Sequence, residues 1–483
     1  MRLDKVGGDL QAVHLIGVGG AGMSALARLF FSRGVIVSGS DLKESRHLAA
    51  LRVMGADIRV GHDSDNLLAP DVVVVSSAIP EANPELLEAR RRGIPVLRRA
   101  EALALLMKQR RGLAVAGTHG KTTTTSLLVL ILQEAGLDPS FAVGADLNEA
   151  GTNAYDGSGE FFVAEADESD GSFLCLAPEG ALVTNVEADH LDFYRDLSEV
   201  EAAFHRFVEL VPVDGVAVLC HDDAGAAGLA GSVTGRVVTY GIDPAQSGGG
   251  VDGRADVAAA HIEVLPYGSR FDLVAWGERL GRVEIRVPGR HYVKNSVGAA
   301  AMALSLGLSF DAVAAGVGRY TGVARRFQPR GSAGGVSLVD DYAHHPTEVA
   351  ATLSAAQTAH YRRVFAVLQP HRYSRTRALG LQMGASLVGA DLVVVTDVYG
   401  AGEAPIPGIT GKRVVEGLLD VRPDAQVAYL PHLAEAADFV ARRARPGDLV
   451  VTMGAGDVTL LPDLVLERLA ERFGLCLLEE AGR

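Results

Sequence analysis

The chain has few cysteines, no excess of basic residues and no long apolar run, and each shortage excludes a class of protein. Only three cysteines occur in 483 residues: Cys175, Cys220 and Cys476. Their wide separation matches neither a disulfide framework nor a metal-ligand spacing. We therefore expect buried, reduced thiols. The formal net charge of −14 argues against sequence-independent binding of nucleic acid, which requires a basic surface.

Membrane insertion is also not expected. The most apolar stretch, residues 297–310, is shorter than the roughly 20 residues that a membrane-spanning helix needs. The first residues, Met-Arg-Leu-Asp-Lys, contain no apolar signal core. A hydrophobic content of 48% with 22% charged residues is ordinary for a globular protein. The length favours two to four domains, and we expect a cytoplasmic enzyme, with monomer and homodimer both open.

The strongest functional signal lies at residues 113–132. A short apolar run, typical of a buried strand, ends in Gly117-Thr-His-Gly120, and a helix-forming segment follows Lys121 and Thr122. This order presents backbone N–H groups and a helix N-terminus to a polyphosphate, while the lysine adds charge and the threonine a hydroxyl for Mg²⁺. The common loop has four residues between its glycines, and this one has two. A plain glycine turn is the alternative. The predicted ATP loop comprises Gly117, Thr118, His119, Gly120, Lys121, Thr122 and Thr123.

A second glycine turn occurs near the start of the chain. A strand at 12–16 leads into Gly17-Val-Gly-Gly-Ala-Gly22, a helix-forming segment and a second strand that ends before Asp41. This arrangement is typical of a dinucleotide-binding unit, with the acid placed to meet a ribose or base. The ligand need not be NAD, because any nucleoside diphosphate can use the same helix N-terminus. A turn that serves only helix–strand packing is the alternative.

Acidic and histidine residues follow two strands of the middle region. The strand at 160–164 leads into Glu165-Ala-Asp-Glu-Ser-Asp170, and the strand at 181–184 leads into Asn185-Val-Glu-Ala-Asp-His190. The carboxyl edge of a parallel sheet is its ligand edge, and carboxylates suit Mg²⁺. Alternatively, these acidic residues lie in loops where they contact only solvent. Residues 230–290, with the glycine run 248–250, predict an antiparallel addition carrying a flexible loop.

The last third of the chain repeats the alternation of strand and helix. Four strands, at 336–339, 364–368, 392–396 and 449–452, each end in polar residues. The polar runs concentrate His, Arg and Asp residues, including Asp341, His344, Arg372 and Arg375. Alternatively, the two adjacent histidines, His344 and His345, only form hydrogen bonds within a turn and have no role in a site. We predict a further open sheet with its own ligand edge.

Together these segments resemble the Mur ligase family. The residues that carry the resemblance are Gly117-Thr-His-Gly-Lys-Thr-Thr123, Glu165-Ala-Asp-Glu-Ser-Asp170, Asn185-Val-Glu-Ala-Asp-His190, Arg325-Arg-Phe-Gln328 and Asp340-Asp-Tyr-Ala-His-His-Pro-Thr-Glu348. The resemblance implies three α/β domains: a Rossmann-like domain at 1–108 for a UDP-sugar, a central P-loop-type parallel sheet at 109–324 for ATP, and a Rossmann-like closing domain at 325–483. It also implies an ADP-forming ligase of peptidoglycan precursor synthesis, which joins L-alanine to the carboxylate of UDP-N-acetylmuramate through an acyl phosphate, with ATP and Mg²⁺ as cofactors.

The resemblance further implies roles for individual residues. The UDP-sugar would be held by Gly19, Gly20, Ala21, Gly22, Met23, Asp41 and His62. His291 and Asn295 would face the adenine, with Arg326 and Asp341 meeting the nucleotide from the closing domain. Mg²⁺ would be held by Thr122, Glu168 and His190. The catalytic residues would be Lys121 of the ATP loop and three residues of the closing domain, His344, Arg372 and Arg375. These three would line the reacting carboxylate and the incoming alanine.

The chain departs from the family pattern at two places. Tyr292 follows His291, where the family usually has asparagine beside the adenine. No lysine occurs between His190 and Lys294, so the carbamylated lysine of several sister ligases is absent. Two rival classes remain open: a nicotinamide oxidoreductase, which would leave the Lys121 loop unexplained, and a binding protein that holds ATP and a UDP-sugar without releasing phosphate. The sequence also leaves open whether the enzyme prefers Mg²⁺ or Mn²⁺, and whether it accepts glycine or serine in place of L-alanine.

Overall fold

Three open sheets, each flanked by helices, follow one another along the chain. The computed structural model describes residues 10–76, 78–148, 151–191, 193–242, 255–359 and 361–474. The three-part α/β architecture predicted from the sequence is confirmed. Among the helices of these residues, none combines the length and apolar character needed to span a bilayer.

The first sheet is fully parallel, with strand order β3-β2-β1-β4-β5. The order reverses on either side of β1, so a crevice opens beyond its carboxyl end, where ligands of such sheets bind. Its strands are β1 (Ala12–Ile16), β2 (Ile36–Asp41), β3 (Asp57–Val60), β4 (Val72–Val75) and β5 (Val96–Arg98). Its helices are α1 (Ala21–Ser32), α2 (Arg46–Met54), α3 (Pro84–Arg91) and α4 (Arg99–Met107).

The second sheet has ten strands in the order β15-β14-β13-β12-β11-β10-β6-β9-β7-β8. Its centre is parallel, and antiparallel pairs close both ends. The strands are β6 (Arg111–Ala116), β7 (Ser140–Leu147), β8 (Thr152–Tyr155), β9 (Phe161–Glu165), β10 (Gly180–Val183), β11 (Val216–Cys220), β12 (Arg236–Ile242), β13 (Val257–Leu265), β14 (Gly268–Ala275) and β15 (Glu278–Ile285). The helices are α5 (Lys121–Glu134), α6 (Leu197–Val208), α7 (Ala224–Gly228), α8 (Arg290–Ser305) and α9 (Phe310–Arg319).

The third sheet has six strands in the order β16-β17-β21-β18-β19-β20, and only the edge pair β16–β17 is antiparallel. The strands are β16 (Gln328–Ala333), β17 (Val336–Asp341), β18 (Arg363–Leu368), β19 (Leu392–Val395), β20 (Val427–Tyr429) and β21 (Asp448–Met453). The helices are α10 (Pro346–Thr358), α11 (Tyr373–Ala385), α12 (Lys412–Val421), α13 (Leu433–Arg443) and α14 (Leu461–Phe473). Pro346 is the first residue of α10, where its missing N–H costs nothing.

The hydrophobic cores show how the three sheets are joined. One continuous cluster runs from β1 through the whole second sheet, whereas the third sheet has separate clusters on its two faces. Arg33 at the end of α1 pairs with Asp156, next to β8, at 3.0 Å. Because the first two sheets share a core and the third does not, we expect the third sheet to be the part that moves when the enzyme opens.

Several expectations need correction or lie beyond the described residues. Cys175 is exposed at the end of a short turn after β9, so the prediction that it is buried is wrong, while Cys220 is buried in β11. The glycine run 248–250 and Cys476 lie outside the described residues. The predicted antiparallel addition is present as β13 to β15. The strands β7, β8 and β16 were not predicted, because they lack the apolar runs of the central strands.

Candidate active site

The first glycine turn leads from β1 into α1 beside Asp41. The Gly19 N–H donates to the Asp41 carboxylate at 2.8 Å, and a Cβ at Gly19 would lie equally close to that oxygen. A side chain at Gly19 would therefore displace the Asp41 carboxylate that closes over the turn. Gly20, Ala21 and Gly22 begin α1. The Met23 side chain is buried in the core, so only its backbone is available to a ligand.

His62 belongs to a buried network behind this turn. Its Nδ1 lies 2.9 Å from the Ser40 hydroxyl, which donates to Glu85 at 2.5 Å, and Asn66 donates to Glu85 at 2.6 Å. Burial alone would raise the pKa of Glu85, but hydrogen bonds from His14, Ser40 and Asn66 lower it to about 2. Glu85 is therefore a buried anion that orients the His62 ring.

The predicted ATP loop, residues 117–123 and called the phosphate loop below, connects β6 to α5 in the middle of the second sheet. Gly117 has φ +133° and Gly120 has φ +80°, values that side chains rarely adopt. A Cβ at Gly117 would overlap the Thr184 hydroxyl, which leaves no room for any other residue. The loop backbone is held by Asn185, whose side chain accepts from the His119 N–H at 2.8 Å and donates to the His119 carbonyl at 3.0 Å. These two hydrogen bonds fix the backbone of the loop against the residue that follows β10.

Lys121 lies at the start of α5 and faces the buried Glu168. Its Nζ donates to the Gly117 carbonyl at 2.6 Å and lies 2.9 and 2.8 Å from the two Glu168 oxygens. Burial alone would lower the pKa of Lys121, but Glu168 and Asp167 outweigh it and raise that pKa. Burial raises the pKa of Glu168 to about 7, against the effect of Lys121. The Lys121 ammonium therefore stays charged beside Glu168.

Oxygen ligands surround this lysine. The Thr122 hydroxyl donates to Glu165 at 3.0 Å, and the His190 Nε2 lies 3.7 Å from Glu168. Burial lowers the pKa of His190, which favours a neutral ring. The two carboxylates and the hydroxyl are oxygen ligands of the kind that a hard divalent cation prefers, and the neutral imidazole can add a nitrogen ligand. The residues present therefore fit Mg²⁺.

His344 approaches the loop from the third sheet. Its Nδ1 lies 2.9 Å from the Tyr342 carbonyl, which can only accept, so Nδ1 carries the proton and Nε2 the lone pair. Burial lowers the pKa of His344 to about 3. His344 is thus a neutral ring that can accept a proton or a hydrogen bond at Nε2.

Arg372 and Arg375 lie at the start of α11, beside the segment that carries Asp189 and His190. The Arg375 guanidinium forms hydrogen bonds of 2.9 to 3.1 Å with both oxygens of Asp189, and these side chains are only 8% and 6% exposed. Arg372, with φ +66° at the start of α11, lines a cavity of about 70 Å³ together with Asp189, His190 and Arg375. The two arginines therefore border His190, one of the predicted metal ligands.

A small cavity of about 110 Å³ lies between the phosphate loop, α8 and α10. It is lined by four residues that the family pattern places at the nucleotide: His291, Asn295, Arg326 and Asp341. Burial lowers the pKa of His291 to about 4 and raises that of Asp341 to about 6. Tyr292, the departure from the pattern, also lines the cavity but is 98% buried in α8, with its ring 6.4 Å from Tyr320.

A cleft of about 750 Å³ joins the three parts of the molecule. Its wall includes Ala21 from the first sheet's turn, Lys121 from the phosphate loop and His344 from the third sheet. Thr122 and Arg326 line both this cleft and the smaller cavity. The space can therefore hold a substrate that extends from the first domain to the end of a nucleotide.

Several residues of the cleft were not singled out from the sequence. They are Arg46, His47, Asp146, Glu165, Asp167, Arg325, Tyr342 and Glu348. Five of them belong to the segments that carry the family resemblance: Glu165, Asp167, Arg325, Tyr342 and Glu348. Their position after predicted strands could therefore have marked them as site residues. Arg46, His47 and Asp146 lie outside those segments, and nothing local marks them.

Comparisons with known proteins agree along the whole chain. Residues 12–111 match the model described as Mur ligase family, catalytic domain, residues 115–303 match the Mur ligase middle domain, and residues 325–456 match the Mur ligase, glutamate ligase domain. The chain is 51% identical over 469 residues to UDP-N-acetylmuramate–L-alanine ligase of Acidothermus cellulolyticus, covering 96% of each.

Two solved structures extend the comparison. The crystal structure of UDP-N-acetylmuramate-alanine ligase from Thermotoga maritima matches with a TM-score of 0.78 and 27% identity, covering 96% of this chain and 99% of that one. A murein peptide ligase from Psychrobacter arcticus matches with a TM-score of 0.69 and 24% identity, covering 95% and 98%, a likeness of fold alone.

Proposed function

The chain belongs to the Mur ligase family, and on that premise we propose that it joins L-alanine to the carboxylate of UDP-N-acetylmuramate at the expense of ATP, releasing ADP and phosphate. The step belongs to the synthesis of peptidoglycan precursors. The observation that carries the proposal is the 750 Å³ cleft, whose wall is built by all three sheets and includes Lys121 of the phosphate loop.

The chemistry requires activation of a carboxylate. A free carboxylate does not condense with an amine in water, so its oxygen attacks the γ-phosphate of ATP and gives an acyl phosphate and ADP. The alanine amine then attacks the carbonyl, and phosphate leaves from the tetrahedral intermediate. Both steps build negative charge on oxygen, which preorganised cationic groups stabilise.

We assign Lys121 to the transferred phosphate. Its ammonium lies next to the carbonyls of Gly117 and Thr118, so a small rotation away from Glu168 directs it at a phosphate held by the loop. His344 is assigned to the reacting groups, because its Nε2 lone pair can accept a hydrogen bond from the incoming amine of alanine and orient it. Arg372 and Arg375 are assigned to the edge of this site, where Arg375 positions the His190 segment through Asp189.

Mg²⁺ is proposed as the metal, held by Thr122, Glu168 and His190. When bound, it would supply positive charge to the phosphate oxygens of ATP. Release of Glu168 from Lys121 would give the carboxylate to the cation and the ammonium to the phosphate, so one rearrangement prepares both groups.

The remaining assignments follow from the same premise. We propose that the first glycine turn holds the diphosphate, with Asp41 and His62 beside the uridine, and that His291, Asn295, Arg326 and Asp341 hold the nucleoside of ATP. Domain boundaries are proposed at 108/109 and 324/325, which fall in connections between the sheets. A cytoplasmic location is proposed because the substrates are cytoplasmic precursors.

Two measurements test the function. ADP release should require both UDP-N-acetylmuramate and L-alanine, and a tripeptide in place of L-alanine should not support it. The intermediate is tested with UDP-N-acetylmuramate carrying heavy oxygen in its carboxylate: one labelled oxygen should appear in inorganic phosphate. Label in AMP, with release of pyrophosphate, would show adenylation and refute the acyl phosphate while leaving the ligase assignment intact.

A further inference from the structure

A second group of metal-type ligands lies where the phosphate loop meets the third sheet. His119 of the loop, Glu187 after β10 and His345 before α10 each direct one ligand atom to a common point. The His119 Nε2 lies 3.0 Å from the His345 Nδ1, and the Glu187 Oε2 lies 3.8 and 3.7 Å from these two nitrogens. None of the roles proposed above uses this convergence.

These distances match a tetrahedral ion. Zinc–nitrogen and zinc–oxygen bonds of about 2.0–2.2 Å place neighbouring ligand atoms roughly 3.4 Å apart. Each of the three observed separations differs from that value by less than about half an ångström. Three protein ligands leave a fourth position for water, the pattern of an open zinc site.

The surroundings hold the ligands in place. The His119 Nδ1 lies 3.4 Å from a Glu348 oxygen, which fixes the proton on Nδ1 and leaves the lone pair on Nε2. Thr347 donates to the Glu187 Oε2 at 2.6 Å. The Glu187 N–H donates to the Thr118 hydroxyl at 2.9 Å, which ties its backbone to the loop.

His345 is also prepared for coordination. Its side chain is 6% exposed, and its buried Nε2 has no hydrogen-bond partner among the described residues. Nothing in that part of the chain therefore prevents the ring from carrying its proton at Nε2 and offering the Nδ1 lone pair. The His119 Nε2 and the His345 Nδ1 face each other at 3.0 Å, where either one N–H···N hydrogen bond or a cation bound to both rings satisfies them.

The donor set indicates the class of ion. Two imidazoles with one carboxylate favour Zn²⁺ and related transition metals, whereas Mg²⁺ prefers oxygen ligands. We propose that His119, Glu187 and His345 form a binding site for a Zn²⁺-type ion, separate from the Mg²⁺ site at Glu168 and His190. Two ligands belong to the central domain and one to the closing domain, so the ion bridges them and is held only when they are closed.

The test uses the full chain without nucleotide or Mg²⁺. Zn²⁺ is titrated by calorimetry, and Co²⁺ by visible absorption, where tetrahedral coordination gives strong d–d bands. We expect one ion per chain at this site. His119→Ala and His345→Gln should each weaken binding by about a hundredfold, and Glu348→Gln by about tenfold, the usual effect of removing a carboxylate behind a ligand histidine.

Controls separate this site from others. His432→Gln, on the exposed surface, and His190→Ala, at the Mg²⁺ site, should keep the affinity and the Co²⁺ spectrum. A large excess of Mg²⁺ should not displace Co²⁺. Circular dichroism confirms that each variant is folded. The proposal is overturned if the wild-type chain binds no stoichiometric ion, if His119→Ala and His345→Gln bind like wild type, or if His190→Ala abolishes binding. The readouts are independent of ligase activity.

Discussion

The ion pair between Asp189 and Arg375 should act as a latch between the central and closing domains. Burial alone would raise the pKa of Asp189, but the Arg375 guanidinium outweighs it and holds that pKa well below its ordinary value. Breaking a buried pair by removing one partner costs about 3–5 kcal/mol, because the other charge stays buried and unpaired. Here water can reach the remaining charge if the domains part, so the cost should appear as loss of the closed state.

The expected magnitude follows from that cost. About 3 kcal/mol taken from the closed state corresponds to roughly a hundredfold lower kcat/KM. Asp189→Asn and Arg375→Met should therefore each lower kcat/KM for ATP about a hundredfold. The double variant should lose no more kcat/KM than the more active single variant, because it leaves neither charge buried without a partner.

The assay is steady-state ADP release for the four proteins of this double-mutant cycle. The exposed pair Arg468–Asp438, 2.8 Å apart and within the closing domain, is the control. Asp438→Asn should change kcat/KM less than about twofold, since exposed pairs contribute little. Losses that multiply in the double variant, or single variants within about threefold of wild type, would refute the latch. A much larger loss for Arg375→Met alone would indicate direct contact of the guanidinium with substrate.

Three further predictions concern single sites. Lys121→Ala should lower kcat about a hundredfold or more at saturating ATP, because a preorganised cation is lost, and retention of over a tenth of the ADP release would contradict the loop assignment. Glu168→Ala and His190→Ala should each raise the Mg²⁺ concentration for half-maximal turnover, and unchanged titrations in both would exclude them as ligands. Glu85 has a folded pKa of about 2 against an ordinary 4.5, so the stability it contributes is complete above pH 4.5 and is lost as pH falls towards 2. Glu85→Gln should flatten this acid dependence in unfolding measured from pH 5 to 2, and an unchanged curve would contradict the assigned network.

Local pattern predicted much of the fold and part of the site. The apolar runs of β6, β9 and β10 and the glycine turn before Lys121 are consecutive signals, each readable within about ten residues. Strand ends of a parallel sheet meet at one edge, so Glu168, His190 and the loop were expected to be close. The structure brings them together, with His190 3.7 Å from Glu168.

The partners of individual side chains were not predictable in the same way. Arg375 was predicted to line the reacting groups, and that role stays a prediction, whereas its ion pair with Asp189, 186 residues away, had no signal in the sequence. His119 and His345 are 226 residues apart in the chain and 3.0 Å apart in space. No periodicity links residues at such separations, because their contact depends on how one domain packs against another.

The sequence by itself determined the order of strands and helices, the three successive sheets and the phosphate loop, because turn geometry, β-strand preference and glycine's conformational freedom are local properties. Only the tertiary structure decided which charges are paired, which imidazoles are neutral and which ligand atoms converge. Those properties depend on burial and on groups from other domains, as for Lys121 against Glu168 and His344 against the Tyr342 carbonyl. They arise where the closing domain meets the central one, and no single segment of the chain contains them.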